Sequence, residues 1–280
     1  MKVVLFCGGL GMRLREHSDA IPKPMVNVGY RPILWHLMKY YAHFGHREFI
    51  LCLGWKGDYV KEYFLNYSEC VSNDFKLKGN EVTLHNEDLS DWTITFVDTG
   101  QNALVGERLQ KVKPLLKGED QFLANYADGL SDVSLPEIIK HHEASHAVAT
   151  CLCVKPTQSF HVIDSDESGI ARNITPVAEI DQWMNGGFFV LNQEIFDYMR
   201  PGDELAGPPF QRLISAGKLA CYNYSGYWGC MDTYKEKQTL DRMFADGDTP
   251  WQLWENPVAE DNAPPTGPLE NSNARPMQPR

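Results

Sequence analysis

The sequence predicts an α/β protein built on a doubly wound, mostly parallel sheet. Three observations predict it. A near-continuous apolar run from Lys2 to Cys7 ends in Gly8-Gly9-Leu10-Gly11. Strand-like and helix-like periodicity alternate through the first half. Polar-rich loops follow the predicted strand ends at Cys7, Val97 and Tyr126. A run that is apolar on both faces and feeds a tight loop is what a central parallel strand requires. Strands alternating with helices wind into one sheet covered on both sides, and such sheets bind ligands beyond the carboxyl ends of their strands.

The elements follow in order. After the first strand, Pro32 to Phe44 places Ile33, Leu34, Leu37, Met38 and Tyr41 at helical spacing, with Gly45 as a stop. Glu48 to Leu53 is a second strand closed by Gly54, and Asp58 to Tyr67 a second helix carrying Val60, Tyr63 and Phe64. Trp92 to Val97 alternates as a strand, Gly106 to Leu116 is helical, and Gln121 to Tyr126 is a short strand ending at Asp128-Gly129. Strands continue over His146 to Val154, Gly186 to Leu191 and Leu219 to Tyr224, and Asp232 to Asp246 reads as a helix. One domain spans residues 1–255. From Asn256 to Arg280 the chain is rich in Pro, Asn and Glu and poor in large apolar residues, the composition of a disordered tail.

Composition narrows the function. The 280 residues are 43% hydrophobic and 22% charged, ordinary globular usage. No stretch approaches the roughly 18 apolar residues of a membrane span, and Val3-Val4-Leu5-Phe6 runs straight into glycines rather than into a signal-peptide cleavage site. Neither a membrane nor a nucleic acid is an expected partner, since the net charge is −11 and the basic residues are dispersed. Seven cysteines form an odd set without metal-ligand rhythm, and Cys151 and Cys153, alternating with Leu152, read as small core residues. A reduced, cytoplasmic setting fits them. An acidic protein that handles anions must build a local positive site from backbone amides, placed cations and a metal.

The sequence supplies such parts. Gly8-Gly9-Leu10-Gly11-Met12-Arg13-Leu14 is followed by Pro22-Lys23-Pro24-Met25. Glycines let the backbone approach phosphates, Arg13 and Lys23 add charge, and the prolines stiffen the segment around Lys23. The pattern is neither a Walker loop nor a dinucleotide fingerprint. Asp128, at a strand's carboxyl end with Gly129 beside it, can hold magnesium against a triphosphate, although a turn cap is the ordinary role for such a residue. Asp232 stands where a strand gives way to a helix, where N-capping is the ordinary role; as a partner to Asp128 it would complete a two-carboxylate magnesium site. Asp132 reads as a cap or turn residue. Arg108 is an anion-ligand candidate or a solvated helix-start arginine. The paired glycines after Asn185 imply close approach of a ligand or another backbone, and Trp251 and Trp254 a packing or subunit contact.

With these residues in hand, the chain from Met1 to about Glu255 resembles bacterial glucose-1-phosphate cytidylyltransferases. The matching elements are Gly8-Gly9-Leu10-Gly11-x-Arg13-Leu14, Lys23-Pro24-Met25-Val26, Pro32-Ile33-Leu34-Trp35-His36, Gly54-x-Lys56-Gly57, Val97-Asp98-Thr99-Gly100, Tyr126-Ala127-Asp128-Gly129-x-Ser131-Asp132, Asn185-Gly186-Gly187-Phe188-Phe189-Val190-Leu191, Met231-Asp232-Thr233 and Pro250-Trp251-Gln252-Leu253-Trp254. The resemblance implies a Rossmann-like doubly wound mixed sheet of the nucleotide-diphospho-sugar transferase type, with metal ligands at Asp128 and Asp232. It implies nucleotide contacts from the opening strand end and loop (Phe6, Cys7, Gly8, Gly9, Leu10, Gly11, Met12, Arg13) and from Lys23, Ala103, Arg108 and Ala127. A homo-oligomer is implied as well.

The chain also departs from that pattern. Met12 stands where the family has threonine, and Ser159-Phe160-His161 where it has Arg-Phe-Gly. In Val177-Ala178-Glu179-Ile180-Asp181-Gln182-Trp183, Ile180 replaces the lysine that grips the sugar phosphate. Losing one charge-assisted contact costs roughly 1.5–3 kcal/mol. Lys155 is the candidate substitute, with Glu179, Asn185 and Gly186 as further sugar-phosphate contacts. The expected activity joins a sugar-1-phosphate (glucose-1-phosphate favoured) to a nucleoside triphosphate (CTP favoured), with magnesium as cofactor and Arg13, Lys23 and Asp128 as catalytic groups. The alternatives are the same chemistry on another sugar or base, and a nucleotide-sugar-binding protein that has lost catalysis.

Overall fold

Strand β1 (Val3–Phe6) is buried along its whole length because its alternating side chains feed two separate cores. Val3 and Leu5 enter one, Val4 and Phe6 the other, as befits a strand covered on both faces. The computed structural model describes residues 1–9, 21–157 and 160–255. Around β1 lie β2 (Glu48–Leu53), β3 (Thr93–Asp98), β4 (Gln121–Asn125), β5 (Ala149–Val154), β6 (Met184–Asn192) and β7 (Leu219–Tyr224). Their spatial order is β7-β5-β6-β4-β1-β2-β3, with β6 running against the other six.

Helices α1 (Ile33–His43), α2 (Gly57–Leu65), α3 (Val105–Val112), α4 (Leu135–Ser145), α5 (Pro208–Ser215) and α6 (Tyr234–Ala245) cover the sheet. Leu37, Val60, Ile138 and Leu240 of α1, α2, α4 and α6 join the core that holds Val3 and Leu5; Leu109 and Leu213 of α3 and α5 join the other. The fold is the mixed, doubly wound α/β sheet expected. The chain winds from β1 out through β2 and β3 on one side and resumes at β4 on the other. Strand order therefore reverses between β1 and β4, and a crevice opens at their carboxyl ends.

Local chemistry moves several boundaries. The strand expected from His146 starts at Ala149, because His146 closes α4 in a left-handed conformation at φ 53°. The helix expected through Leu116 tightens into a 3-10 turn at Lys113–Leu116, where Pro114 has no N–H to donate. Trp251 is fully buried, packed edge-on against His36, and Trp254 packs against Trp35. Of the packing or subunit contact expected of these two residues, the structure shows packing. Among the described residues no helix is long and apolar enough to cross a membrane. The expected tail from Asn256 onward lies outside the described residues, as do Leu10, Gly11, Met12, Arg13 and Ser159.

Candidate active site

The crevice at the switch point is a cavity of about 480 Å³. Phe6, Gly8 and Gly9 line it from the end of β1, Lys23 and Pro24 from the following turn, Ala103 to Val105 and Arg108 from the start of α3. Tyr126 and Asp128 enter after β4, joined by Glu204 and Asp232.

Each charged group is delivered by a specific local device. Lys23 opens a 3-10 turn after extended Pro22, with Met25 N–H donating to the Pro22 carbonyl at 2.8 Å and Pro24 and Met25 buried beneath. Asp128 follows Ala127, a non-glycine residue at φ 64° whose N–H donates to Asn125 Oδ1 at 3.1 Å. Left-handed backbone at alanine is costly and persists only when its surroundings fix it; here the turn aims the next side chain into the cleft. Asp232 arrives from a distant segment because Trp228–Cys230 pairs antiparallel with Gly129–Ser131, and Met231 N–H donates to the Asp128 carbonyl at 3.0 Å.

The ordinary role for Asp232 is taken by its neighbour. Thr233 caps α6, its hydroxyl accepting from Glu236 N–H, while Glu236 Oε2 accepts from the N–H groups of Thr233 and Asp232. That capping box leaves the Asp232 carboxylate to face the cleft. There Lys23 Nζ donates to Asp128 Oδ2 at 2.6 Å and to Asp232 Oδ1. Two carboxylates from distant segments of the chain thus converge on one positive centre.

Burial pushes the Asp128 carboxyl up from its ordinary value, and Lys23 only partly offsets this. Burial also disfavours the Lys23 ammonium, but Asp128 and Asp232 outweigh it and hold its pKa above the usual value. The two tendencies pull oppositely on the ionised pair. Contact of one ammonium with both carboxylates decides for the charged triad, since a neutral amine would leave two carboxylates repelling each other at close range.

Arg108 is buried, and its guanidinium serves the protein itself. It donates to the Leu53 carbonyl at 3.1 Å, to Thr99 Oγ1 at 2.6 Å and to the Gly8 carbonyl. A buried guanidinium must satisfy its donors, and these tie together the ends of β1, β2 and β3. These bonds brace the glycine turn, and the side chain also lines the cavity in which an anion contact is expected of it. A Cβ on Gly8 would overlap that guanidinium, so any larger residue there would have to displace Arg108 from its place.

Of the other residues expected to act, Cys7 and Ala127 are fully buried and contribute backbone rather than side chain. Lys155 does not line the cavity. Its ammonium pairs with Asp181 at 2.7 Å and lies 4.4 Å from the centre of the Trp183 ring, held at the rim by the segment that leads into β6. Glu179 is exposed in the same segment. Asn185 Nδ2 donates to the Tyr126 hydroxyl at 3.2 Å, and the Gly186 carbonyl accepts from Trp228 Nε1 at 2.9 Å, so both brace the cleft from behind. Gly187, at φ 79°, has the Tyr126 ring 2.7 Å from where a Cβ would stand. Asp132 accepts from the Tyr224 hydroxyl at 2.6 Å, outside the cleft lining. Sequence reasoning missed Pro24, Leu104, Val105, Tyr126 and Glu204 as lining residues. Tyr126 was visible beside Ala127-Asp128, whereas nothing near Glu204 marks it, since it reaches the Val105 N–H across 99 residues.

A mixed α/β sheet with a glycine turn, a lysine and two converging aspartates at its switch point is the frame of a transferase that handles nucleotides. The chain belongs to the nucleotidyl transferase family, whose model matches residues 2–233. It is 37% identical over 258 residues to the probable glucose-1-phosphate cytidylyltransferase of Bacillus subtilis and equally to the glucose-1-phosphate cytidylyltransferase of Salmonella typhi, covering 91% of this chain and 100% of each relative. Among solved structures, HddC from Yersinia pseudotuberculosis superposes with a TM-score of 0.63 at 18% identity, over 87% of this chain and 99% of that one. A putative glucose-1-phosphate thymidylyltransferase from Bacillus anthracis gives 0.63 at 16% identity, over 88% and 96%. These structures share the fold.

Proposed function

We propose that the protein joins glucose-1-phosphate to CTP, giving a nucleotide-sugar and pyrophosphate, in the cytoplasm. The observation that carries the reading is the meeting of Asp128, Asp232 and Lys23 in a cleft floored by Gly8 and Gly9. The names of the 37%-identical relatives, matched over their full length, support the choice of sugar and base.

The donor set fits magnesium. Two carboxylates from separate segments already converge on a cation, the Lys23 ammonium, and hard oxygen donors suit an ion that takes one or two carboxylates and completes its shell with water and phosphate. Held by Asp128 and Asp232, such an ion would neutralise charge between two anionic substrates. The bare backbone at Gly8 and Gly9 lets phosphate oxygens approach N–H groups. Lys23, and Arg13 by the resemblance, meet charge growing on the α-phosphate and the leaving group. A sugar-phosphate oxygen attacks the α-phosphorus in line, the α–β bridging P–O bond breaks, and pyrophosphate leaves with its electron pair. No general base is needed because the nucleophile is already ionised.

Ile180, in the position of the family's phosphate-gripping lysine, favours a second reading: binding of a nucleotide-sugar without turnover. One experiment separates the two. Pyrophosphate release is measured with CTP, UTP, dTTP, ATP and GTP across several sugar-1-phosphates, with and without chelator. Chelator-sensitive release that is greatest with CTP and glucose-1-phosphate is expected. Release with no substrate pair would refute the transferase reading, and preference for another pair would correct the substrates.

A further inference from the structure

Cys151 and Cys153 project from β5, and Cys221 from β7 is the register partner of Cys151 across the parallel ladder. All three Sγ atoms lie within 4.8 Å of one another, and Cys151 and Cys153 are 3.7 Å apart at sulfur. Residues two apart on a regular strand share a face but stand nearly 7 Å apart at about 3.3 Å rise per residue. The approach here coincides with a break in the β5–β6 register between Cys151 and Cys153. Such irregularities bend a strand and re-aim its side chains. This one turns two thiols toward a third.

We propose that Cys151, Cys153 and Cys221 form a binding site for a thiophilic divalent cation of the zinc class, separate from the phosphate cleft. Sulfurs bound tetrahedrally to one zinc at about 2.3 Å lie about 3.8 Å apart, close to the spacing already present. The donor set is sulfur alone, which selects soft ions and rejects magnesium. Access suits it as well. Cys151 and Cys153 are buried in the hydrophobic layer beneath the sheet, while Cys221 is exposed on the outermost strand. The site is closed behind and open in front, with a fourth coordination position on the Cys221 side. Binding one divalent ion forms three metal–sulfur bonds and releases the three thiol protons to solvent. It clips the edge strand β7 to β5, and Cys153 faces Asn185 across the β5–β6 ladder, so the clip lies directly behind the segment that braces Tyr126.

The test uses the full chain, stripped of metal and kept reduced with a phosphine, titrated with cobalt(II) as a visible stand-in for zinc. A thiolate-to-cobalt charge-transfer band should grow to one ion per chain, be erased by zinc and be untouched by excess magnesium. Cys221→Ser, at an exposed position that leaves folding intact, should weaken binding by more than about a hundredfold, since even indirect partners of a metal are worth ten- to a hundredfold. Cys70→Ser, outside the cluster, should change nothing. Absence of the band, its persistence in Cys221→Ser, or its loss to magnesium would each overturn the site. So would quantitative closure of a disulfide between Cys221 and a β5 cysteine in protein that takes up no metal when reduced.

Discussion

The floor and the rim of the cleft hold their cations in different ways. On the floor, Lys23 is clamped between Asp128 and Asp232, the three side chains 13%, 25% and 42% exposed, and all three are placed by buried turns and a two-stranded ladder. At the rim, Lys155 meets an Asp181 side chain that is 95% exposed. Charges fixed in a low-dielectric setting act strongly on what enters, whereas an exposed pair is screened by solvent. Under the proposed function, this contrast gives the nucleotide side of the reaction to a preorganised charge cluster. It leaves the acceptor side, where the family's lysine is replaced by Ile180, with no comparably anchored cation among the described residues.

The strongest test of that contrast is removal of a floor charge. Asp128→Asn should lower turnover by about a thousandfold or more, the scale of losing a preorganised charge contact, with an unchanged far-ultraviolet dichroism spectrum. A loss below tenfold would move the chemistry elsewhere. Lys23→Ala should cost about a hundredfold or more in turnover. It should also lower the metal-free melting temperature, because no cation then separates Asp128 from Asp232. Millimolar magnesium should raise the melting temperature of this variant more than that of the wild type. Equal shifts would show that the carboxylates do not share an ion.

A smaller effect belongs to the core. Burial pushes the pKa of His36 down to about 4, so the folded state excludes a proton that the unfolded chain accepts below its ordinary value of about 6.5. Stability from neutral His36 is present above that value and is lost as pH falls toward 4, with a slope of up to about 1.4 kcal/mol per pH unit. Denaturant titrations at several pH values should show this contribution as the part of the slope that His36→Leu removes, the remainder including His46, whose pKa burial also pushes down to about 4. The smallest effect is expected at the rim. Lys155→Ala should leave the sugar-phosphate KM within about fivefold of wild type; a larger rise would restore Lys155 as the acceptor's cation.

Legibility in the sequence followed locality. Glu48–Leu53 and Leu219–Tyr224 were read without error because apolar runs bounded by turn residues carry their own limits. Helices α4 and α5 were not anticipated. Nor were the hairpins Phe75–Lys78/Glu81–Leu84 and His161–Ser165/Ala171–Pro176, which stand largely exposed and so carry little of the hydrophobic periodicity that marks a buried element. The carboxylates can be seen at strand ends, but the sequence leaves capping open as the ordinary role of Asp232, and only the structure shows that Thr233 and Glu236 provide it. What no local pattern could show is which distant segments meet. The pairing of Trp228–Cys230 with Gly129–Ser131 makes the aspartate pair, and the pairing of β5 with β7 gathers three cysteines that looked scattered.

The central claim is that Asp128 and Asp232 hold one divalent ion beside the glycine turn. Manganese(II) resonance spectroscopy in the presence of CTP tests it most directly, by counting bound ions in the wild type and in Asp232→Asn. One tightly held ion per wild-type chain, with affinity falling at least about tenfold in the variant, is the expected result. Equal binding by the two proteins would contradict it.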